Sequence, residues 1–486
     1  MRGLALARLV QLGGLLVICS LSLNSVSWAA GDWVREGTSA RTAFPYDGYA
    51  ASAYQGDVAV PRVHYGAGGG LESRVAELEA TLAEIRAEQS AARKEAAGRP
   101  TVIPGGRIDL DWAAFNQDTT SYAQIGDQQD GIKFRRARMF LEGAAFHVID
   151  YRIEMDFAGT KTIDDTTTQA TAFKDVYFEV NELPLLGHVR VGHFKEPSGL
   201  EVLGSTRFIT FMERSLANEY TFVPVRDVGI MAHDTYAQEN GTWAIGCFVA
   251  DMGEQPPIFR DDDGGLALLM RGTYLPWYGE AADGRGLWHL GASYSYRDTP
   301  NDTARFRARP ECQMADYVVD TGDIPDVPSW QYLGLETVVV LGPFSAQAEW
   351  FNAFVHRTVG EDLYFGGGYA QVSYFLTGEN RNYVRSGAYF DRITPYENFF
   401  RVRGQDGHVY TGKGAWEVGY RWSYLDLSQY DSGENHPGIV QDHTIGVNWY
   451  LNPYTRVMFN YVNSTLHNPI GDGDLSIFEM RAQVDF

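Results

Sequence analysis

From about residue 105 to the C-terminus the chain alternates apolar and polar positions with a period of two, the pattern of strands with two unlike faces. In DYRIEMDFA (150–158), Tyr151, Ile153, Met155 and Phe157 face one way, and Arg152, Glu154 and Asp156 the other. GRIDLDW (106–112) sets Ile108, Leu110 and Trp112 against Arg107, Asp109 and Asp111. WEVGYRWSY (416–424) sets Trp416, Val418, Tyr420, Trp422 and Tyr424 against Glu417, Arg421 and Ser423. DVYFEV (175–180), TIGVNWYL (444–451) and TRVMFNY (455–461) follow suit. The chain closes on FEMRAQVDF (478–486), with Phe478, Met480, Ala482, Val484 and Phe486 on one row and Glu479, Arg481, Gln483 and Asp485 on the other. Turn clusters such as LGPF (341–344) and NPY (452–454) separate the runs, and long polar insertions such as 297–329 interrupt them. The runs number roughly sixteen, enough for an all-β barrel of pore size, because barrels of about eight strands fill their own interior.

Upstream of residue 101 the periods differ. MRGLALARLVQLGGLLVICSLSLNSVSWAAG carries Arg2 and Arg8, an apolar run from Leu9 to Leu23 and the small-residue site Ser27-Trp28-Ala29, the layout of a signal peptide over 1–29. Leu16-Val17-Ile18-Cys19 is only a faint lipoprotein site, since Ile18 is bulky and Cys19 sits inside the apolar run. Residues 30–70, rich in Gly, Ala, Tyr and Pro, read as a flexible linker. In 71–97, Leu71, Val75, Leu78, Leu82 and Ile85 are spaced by fours and threes, which is a heptad seam ending at Gly98-Arg99-Pro100. It predicts a short oligomeric coiled coil, trimeric in the favoured reading; a helix packed on its own domain is the alternative.

Amphipathic strands build either a soluble β protein or a transmembrane antiparallel barrel. The apolar face here carries aromatics stacked near strand ends, as interfacial girdles do, and the opposite face carries charges of both signs in mid-strand, as a wet lumen would. The signal peptide supplies the route to the bacterial outer membrane. No window holds the roughly 20 consecutive apolar residues of a spanning helix.

Charge then narrows the partners. The 486-residue chain has a formal net charge of -22, which excludes nucleic acid, since phosphate backbones call for a basic surface. Neither a nucleophile elbow G-x-S-x-G nor a zinc helix H-E-x-x-H occurs, so no enzyme, catalytic residue, metal site or cofactor is expected. His188 and His193 lie at opposite parity in one run and cannot share a ligand. After signal removal only Cys247 and Cys312 remain; whether they pair stays open.

These segments together resemble the phosphate-selective porin O/P family of bacterial outer membranes. The resemblance rests on FRRARMFLEG (134–143), YRIEMDFAG (151–159), RVGHFKEPSGLE (190–201), TFMERS (210–215) and GGYAQVSYFLTGE (367–379). GAWEVGYRWSYLDL (414–427) and IGVNWYLNPYTRVMFNYVNS (445–464) complete it, so it spans the whole barrel region. It implies a sixteen-stranded trimeric barrel with periplasmic turns, outer loops and one inward-folded loop. It further implies passage of phosphate or polyphosphate along lumenal Arg and Lys. Ser198, after Glu196-Pro197, stands where the family more often has an aromatic.

Candidates for an anion pathway follow from parity. Arg136 and Arg138 share one face of 134–142, and Arg152, Arg421, Arg456 and Arg481 occupy the polar parity of their strands. Arg305, Arg307 and Arg309 share a face of ARFRARPE (304–311), while Lys195, Arg207, Arg214 and Arg226 lie in or beside the expected constriction insertion, 196–226. Lumenal arginines also brace walls by pairing with carboxylates, and Arg152 beside Glu154 and Asp156 reads that way. The acidic balance equally permits a general or cation-preferring porin, since a negative field depletes anions. A third reading is a structural barrel whose coiled coil tethers the envelope through cell-wall contact. The terminal Phe486 resembles the signal read by the barrel assembly machinery. Expected partners are therefore outer-membrane lipid, that machinery, small anions and two further copies in a homotrimer.

Overall fold

The structure is a computed structural model. It describes residues 80, 82 and 99–486, apart from 164–165, 170, 219–220, 251–264, 281–283, 405–406 and 432–436. The signal peptide, the linker and the seam residues Leu71, Val75, Leu78 and Ile85 lie outside the described residues; Leu82 is helical and exposed.

Sixteen antiparallel strands close into one barrel. They are β1 (Ile103–Gln117), β2 (Gly131–Ala145), β3 (Ile149–Asp156), β4 (Ala172–Leu183), β5 (Gly187–Lys195) and β6 (Arg226–Tyr236). The wall continues through β7 (Gly241–Val249), β8 (Leu266–Tyr278), β9 (Gly286–Asp298), β10 (Ser329–Leu341) and β11 (Phe344–His356). It is completed by β12 (Leu363–Phe375), β13 (Ala415–Asp426), β14 (Ile439–Asn452), β15 (Thr455–Asn468) and β16 (Gly471–Asp485). Each strand pairs with its sequence neighbour, and β1 pairs with β16 from Arg107↔Asp485 to Gln117↔Leu475. Phe486 extends that seam, exchanging backbone hydrogen bonds with Gly106 in both directions (2.8 and 3.0 Å).

The alternation of the sequence is turned inside out relative to a soluble protein. Along β16, Phe478, Met480, Val484 and Phe486 are exposed, whereas Glu479, Arg481, Gln483 and Asp485 are buried. Arg136, Arg297, Arg421 and Arg481 rank among the largest fully buried side chains. An apolar exterior over a charged interior is unfavourable in water and natural in a bilayer, where closure also satisfies every strand edge. No helix among the described residues is long and apolar enough to cross a membrane.

An even strand number puts both barrel ends at one rim. Six connections at that rim are short turns (146–148, 184–186, 237–240, 279–285, 342–343 and 453–454). Short turns mark the periplasmic side, and the longer loops, including α1 (Thr119–Ile125), lie at the opposite rim.

Three connections reach inward where the resemblance implied one. Residues 196–225, with the one-turn α2 (Leu200–Leu203), cross the lumen and are buried along most of their length. Residues 299–328 fold over them, packing Phe306, Val319 and Ile324 against Phe222, Phe351 and Phe365. The third segment, 376–414, rises from the rim of short turns and seats Phe390 and Ile393 in buried positions. Cys312 is buried in the second segment, Cys247 is exposed on β7, and the two do not pair.

Candidate functional site: the lumenal constriction

The first inward segment is fastened from both sides. Glu349 of β11 accepts the backbone N–H groups of Leu200 and Glu201 (3.0 and 2.8 Å), and Ser293 of β9 donates to the Ser198 carbonyl (2.6 Å). Across the lumen Glu213 receives Arg135 (2.8 Å), Arg136 (3.4 Å) and Arg481 (2.6 Å). Arg135 should face outward by strict alternation. A bulge opposite Asp109/Leu110 adds one residue to β2, so Arg135 and Arg136 both reach Glu213. Burial alone would raise the Glu213 pKa, yet Arg135, Arg136 and Arg481 more than offset it and hold the carboxyl well below its usual range.

Most of the sequence-predicted cations brace the wall or the segments. Arg138 pairs with Glu154 and Asp156, Arg152 with Glu142 and Glu154, and Arg226 with Asp175. Arg421 is held between Glu201 (3.1 Å) and Glu311 (2.5 Å), so it joins the first two inward segments to β13. Arg481 pairs with Asp111 (2.6 Å) as well as with Glu213. Arg214 donates to the carbonyls of Glu201 and Val202. At the outer mouth Arg305 pairs with Asp320 (2.6 Å), while Arg307 and Arg309 lie over the Tyr317 ring (4.1 and 4.2 Å).

A second group is different. Lys195, Arg381 and Arg456 have no ion pair among the described residues, and all three border the turn 203–210. Lys195 donates to the carbonyls of Leu203 (3.0 Å) and Gly204 (2.6 Å). Arg456 donates to the Ile209 carbonyl (2.9 Å) and to Gln483. Arg381 donates to Gln347 (2.8 Å) and stacks over Phe390 (3.7 Å). Two more cations reach the same turn with carboxylates already engaged elsewhere. Arg107 donates to Thr206 (2.7 Å) and lies 3.8 Å from Asp109, which Arg136 holds more closely. Arg207 lies 3.7 Å from Asp485, which Arg392 already grips. Between the first and third segments a cleft lined by Ser205, Phe208, Thr210, Gln371 and Arg381 opens beside this turn.

The five cations converge from β5, β1, β15 and two inserted segments, so parity alone could not collect them. Arg107 occupied the polar parity of GRIDLDW, which was its only signal; Arg381 lies in an aperiodic stretch and had none.

A model of the family described as phosphate-selective porin O and P matches residues 104–486. The chain belongs to this family. It is an outer-membrane porin. Porin O of Pseudomonas aeruginosa is 28% identical over 423 residues, 79% of this chain and 87% of that protein. An uncharacterized protein of Caulobacter vibrioides is 27% identical over 379 residues, covering 73% of this chain and 68% of that one. Among solved structures, the outer membrane channel DcaP of Acinetobacter baumannii superposes with a TM-score of 0.47 at 11% identity, over 80% of this porin and 97% of that chain.

Proposed function

We propose that this porin passes small anions, phosphate or polyphosphate among them, by passive diffusion. The reading rests on one observation: cations lacking a carboxylate of their own gather at the turn 203–210, where two inward segments meet. At about 4 Å a unit charge contributes about 4 kcal/mol at an effective dielectric constant near 20, enough to offset part of the dehydration of an anion. A cation already paired contributes a small fraction of that. The selective element is therefore Lys195, Arg381 and Arg456, helped by Arg107 and Arg207. The ion-paired Arg136, Arg138, Arg152, Arg226, Arg421 and Arg481 hold the frame. The porin's negative total charge works against anions at a distance, but it is screened over about 10 Å at moderate salt.

The test is planar-bilayer conductance under a salt gradient. An anion-signed reversal potential, with chloride current blocked by added phosphate, is expected; a cation-signed potential overturns the reading. The same proposal includes export by the 1–29 signal, a homotrimer assisted by the 71–97 coiled coil, and recognition of Phe486 by the assembly machinery. Deleting 71–95 should weaken the oligomer and leave insertion intact, as read on semi-native gels.

A further inference from the structure

The third inward segment does not stay inside the barrel. After Ile393 it leaves the lumen, passes the periplasmic rim and forms a hairpin of Phe400–Arg403 with Val409–Gly412. The hairpin is fastened to the outer wall. The Phe399 N–H donates to the Leu451 carbonyl (2.6 Å), and its ring meets Trp449 edge-on at 4.5 Å. Trp449 in turn stacks on Trp416 (5.1 Å, 18°) and donates to the Lys413 carbonyl (2.9 Å). Trp416 and Trp449 hold the parity opposite the buried Glu417 and Asn448, so both lie on the lipid side of the wall.

From this base the hairpin exposes Phe400, Val409 and Tyr410, each more than half accessible. Phe400 holds a left-handed backbone (φ 68°), a conformation unfavourable for a bulky side chain. Arg401 lies 5.6 Å from the Phe400 ring, and neither Arg401 nor Lys413 has an ion pair among the described residues. Aromatic and basic side chains side by side, continuous with a Trp pair on the barrel's lipid face, match one environment. That environment is the headgroup layer of a bilayer carrying negative lipid.

We propose that residues 399–404 and 407–413 form a foot that lies in the periplasmic leaflet and binds anionic phospholipid headgroups. Phe400, Val409 and Tyr410 enter the acyl boundary, and Arg401 and Lys413 meet the phosphates. The segment thereby couples the lumen to the lipid: one end carries Arg381 into the constriction, and the other rests on the membrane.

The test uses the full chain with Cys247→Ser and Val409→Cys, carrying a polarity-sensitive fluorophore at 409. It is reconstituted in phosphatidylethanolamine vesicles with and without phosphatidylglycerol, with folding confirmed by conductance. Quenching by lipids bearing a shallow nitroxide, weak quenching by aqueous iodide, and stronger lipid quenching with phosphatidylglycerol are expected. Arg401→Glu with Lys413→Glu should abolish the phosphatidylglycerol dependence and leave single-channel conductance unchanged. A label at exposed Glu361→Cys, on an outer loop, provides the aqueous reference. Iodide quenching at 409 equal to that reference overturns the proposal. So does energy transfer between labels on two copies with no lipid quenching, which would make the hairpin a contact between chains.

Discussion

Two lumenal arginines, Arg421 on β13 and Arg456 on β15, show how partners decide a residue's role. Arg421 sits between two buried carboxylates, Glu201 and Glu311, whereas Arg456 meets only neutral acceptors. Arg421→Ala would strand two buried charges, a loss of about 3–5 kcal/mol. We expect a lower heat-modification temperature on gels for that variant. Arg456→Gln and Arg381→Gln strand nothing charged, so stability should change little while the anion-to-cation permeability ratio falls about fivefold, equivalent to about 1 kcal/mol. Reversal potentials measured beside gel shifts separate the two outcomes. Alternation along the strands told which arginines point inward. It flagged the pairing of Arg152 with Glu154 on the same strand, but not that of Arg136, Arg421 and Arg481, because Glu201, Glu213 and Glu311 come from stretches with no period and find their partners only through tertiary packing. Glu213 adds a pH statement. Its folded pKa lies below the unfolded one, so its contribution is present above the ordinary carboxylate range and is lost only as pH falls through the folded value. The hold of Glu213 on Arg135, Arg136 and Arg481 should thus persist at about pH 4 and loosen only in stronger acid, read as protection of the chain around Glu213 from proteolysis.

At the scale of elements, the seam between β1 and β16 leaves little room for substitution. A Cβ on Gly106 would stand 2.6 Å from the Arg138 carbonyl and 2.8 Å from the Phe486 ring. Backbone cannot yield there cheaply, so Gly106→Ala should lower the heat-modification temperature, and deletion of Phe486 should do so together with a loss of assembled barrel in membranes. The strand itself was legible: every second residue of FEMRAQVDF faces where its polarity places it. The bulge at Arg135 was not, because one inserted residue leaves no mark on local hydrophobicity.

For the whole molecule, charge and architecture pull apart. The chain carries a formal charge of -22, yet the turn 203–210 is bordered by cations. On the proposed pathway, loop and wall acids act over distance and are screened, while Lys195, Arg381 and Arg456 would act at contact. Anion preference should therefore persist as salt is raised from about 0.1 to 1 M, even though the far field collapses with a Debye length shrinking from about 10 to 3 Å. Permeability ratios across that range check this; a preference that vanishes at the higher salt would place selectivity in the far field. The barrel and its strand number were readable from periodicity, because a membrane wall imposes one rule on every strand. The 376–414 segment escaped notice because it obeys that rule nowhere and because the rim of short turns gave no reason to expect it.

That segment has one consequence for how the barrel is finished. Arg392 grips Asp485, the last residue of β16, and the Pro453 carbonyl in the turn before β15. Asp485 in turn pairs with Arg107 of β1, so this handhold sits at the seam where the wall closes. The same segment is also tethered to the middle of the wall, by Arg381 on Gln347 of β11 and Tyr383 on His289 of β9, so one stretch of chain ties the closing seam to the far side of the barrel.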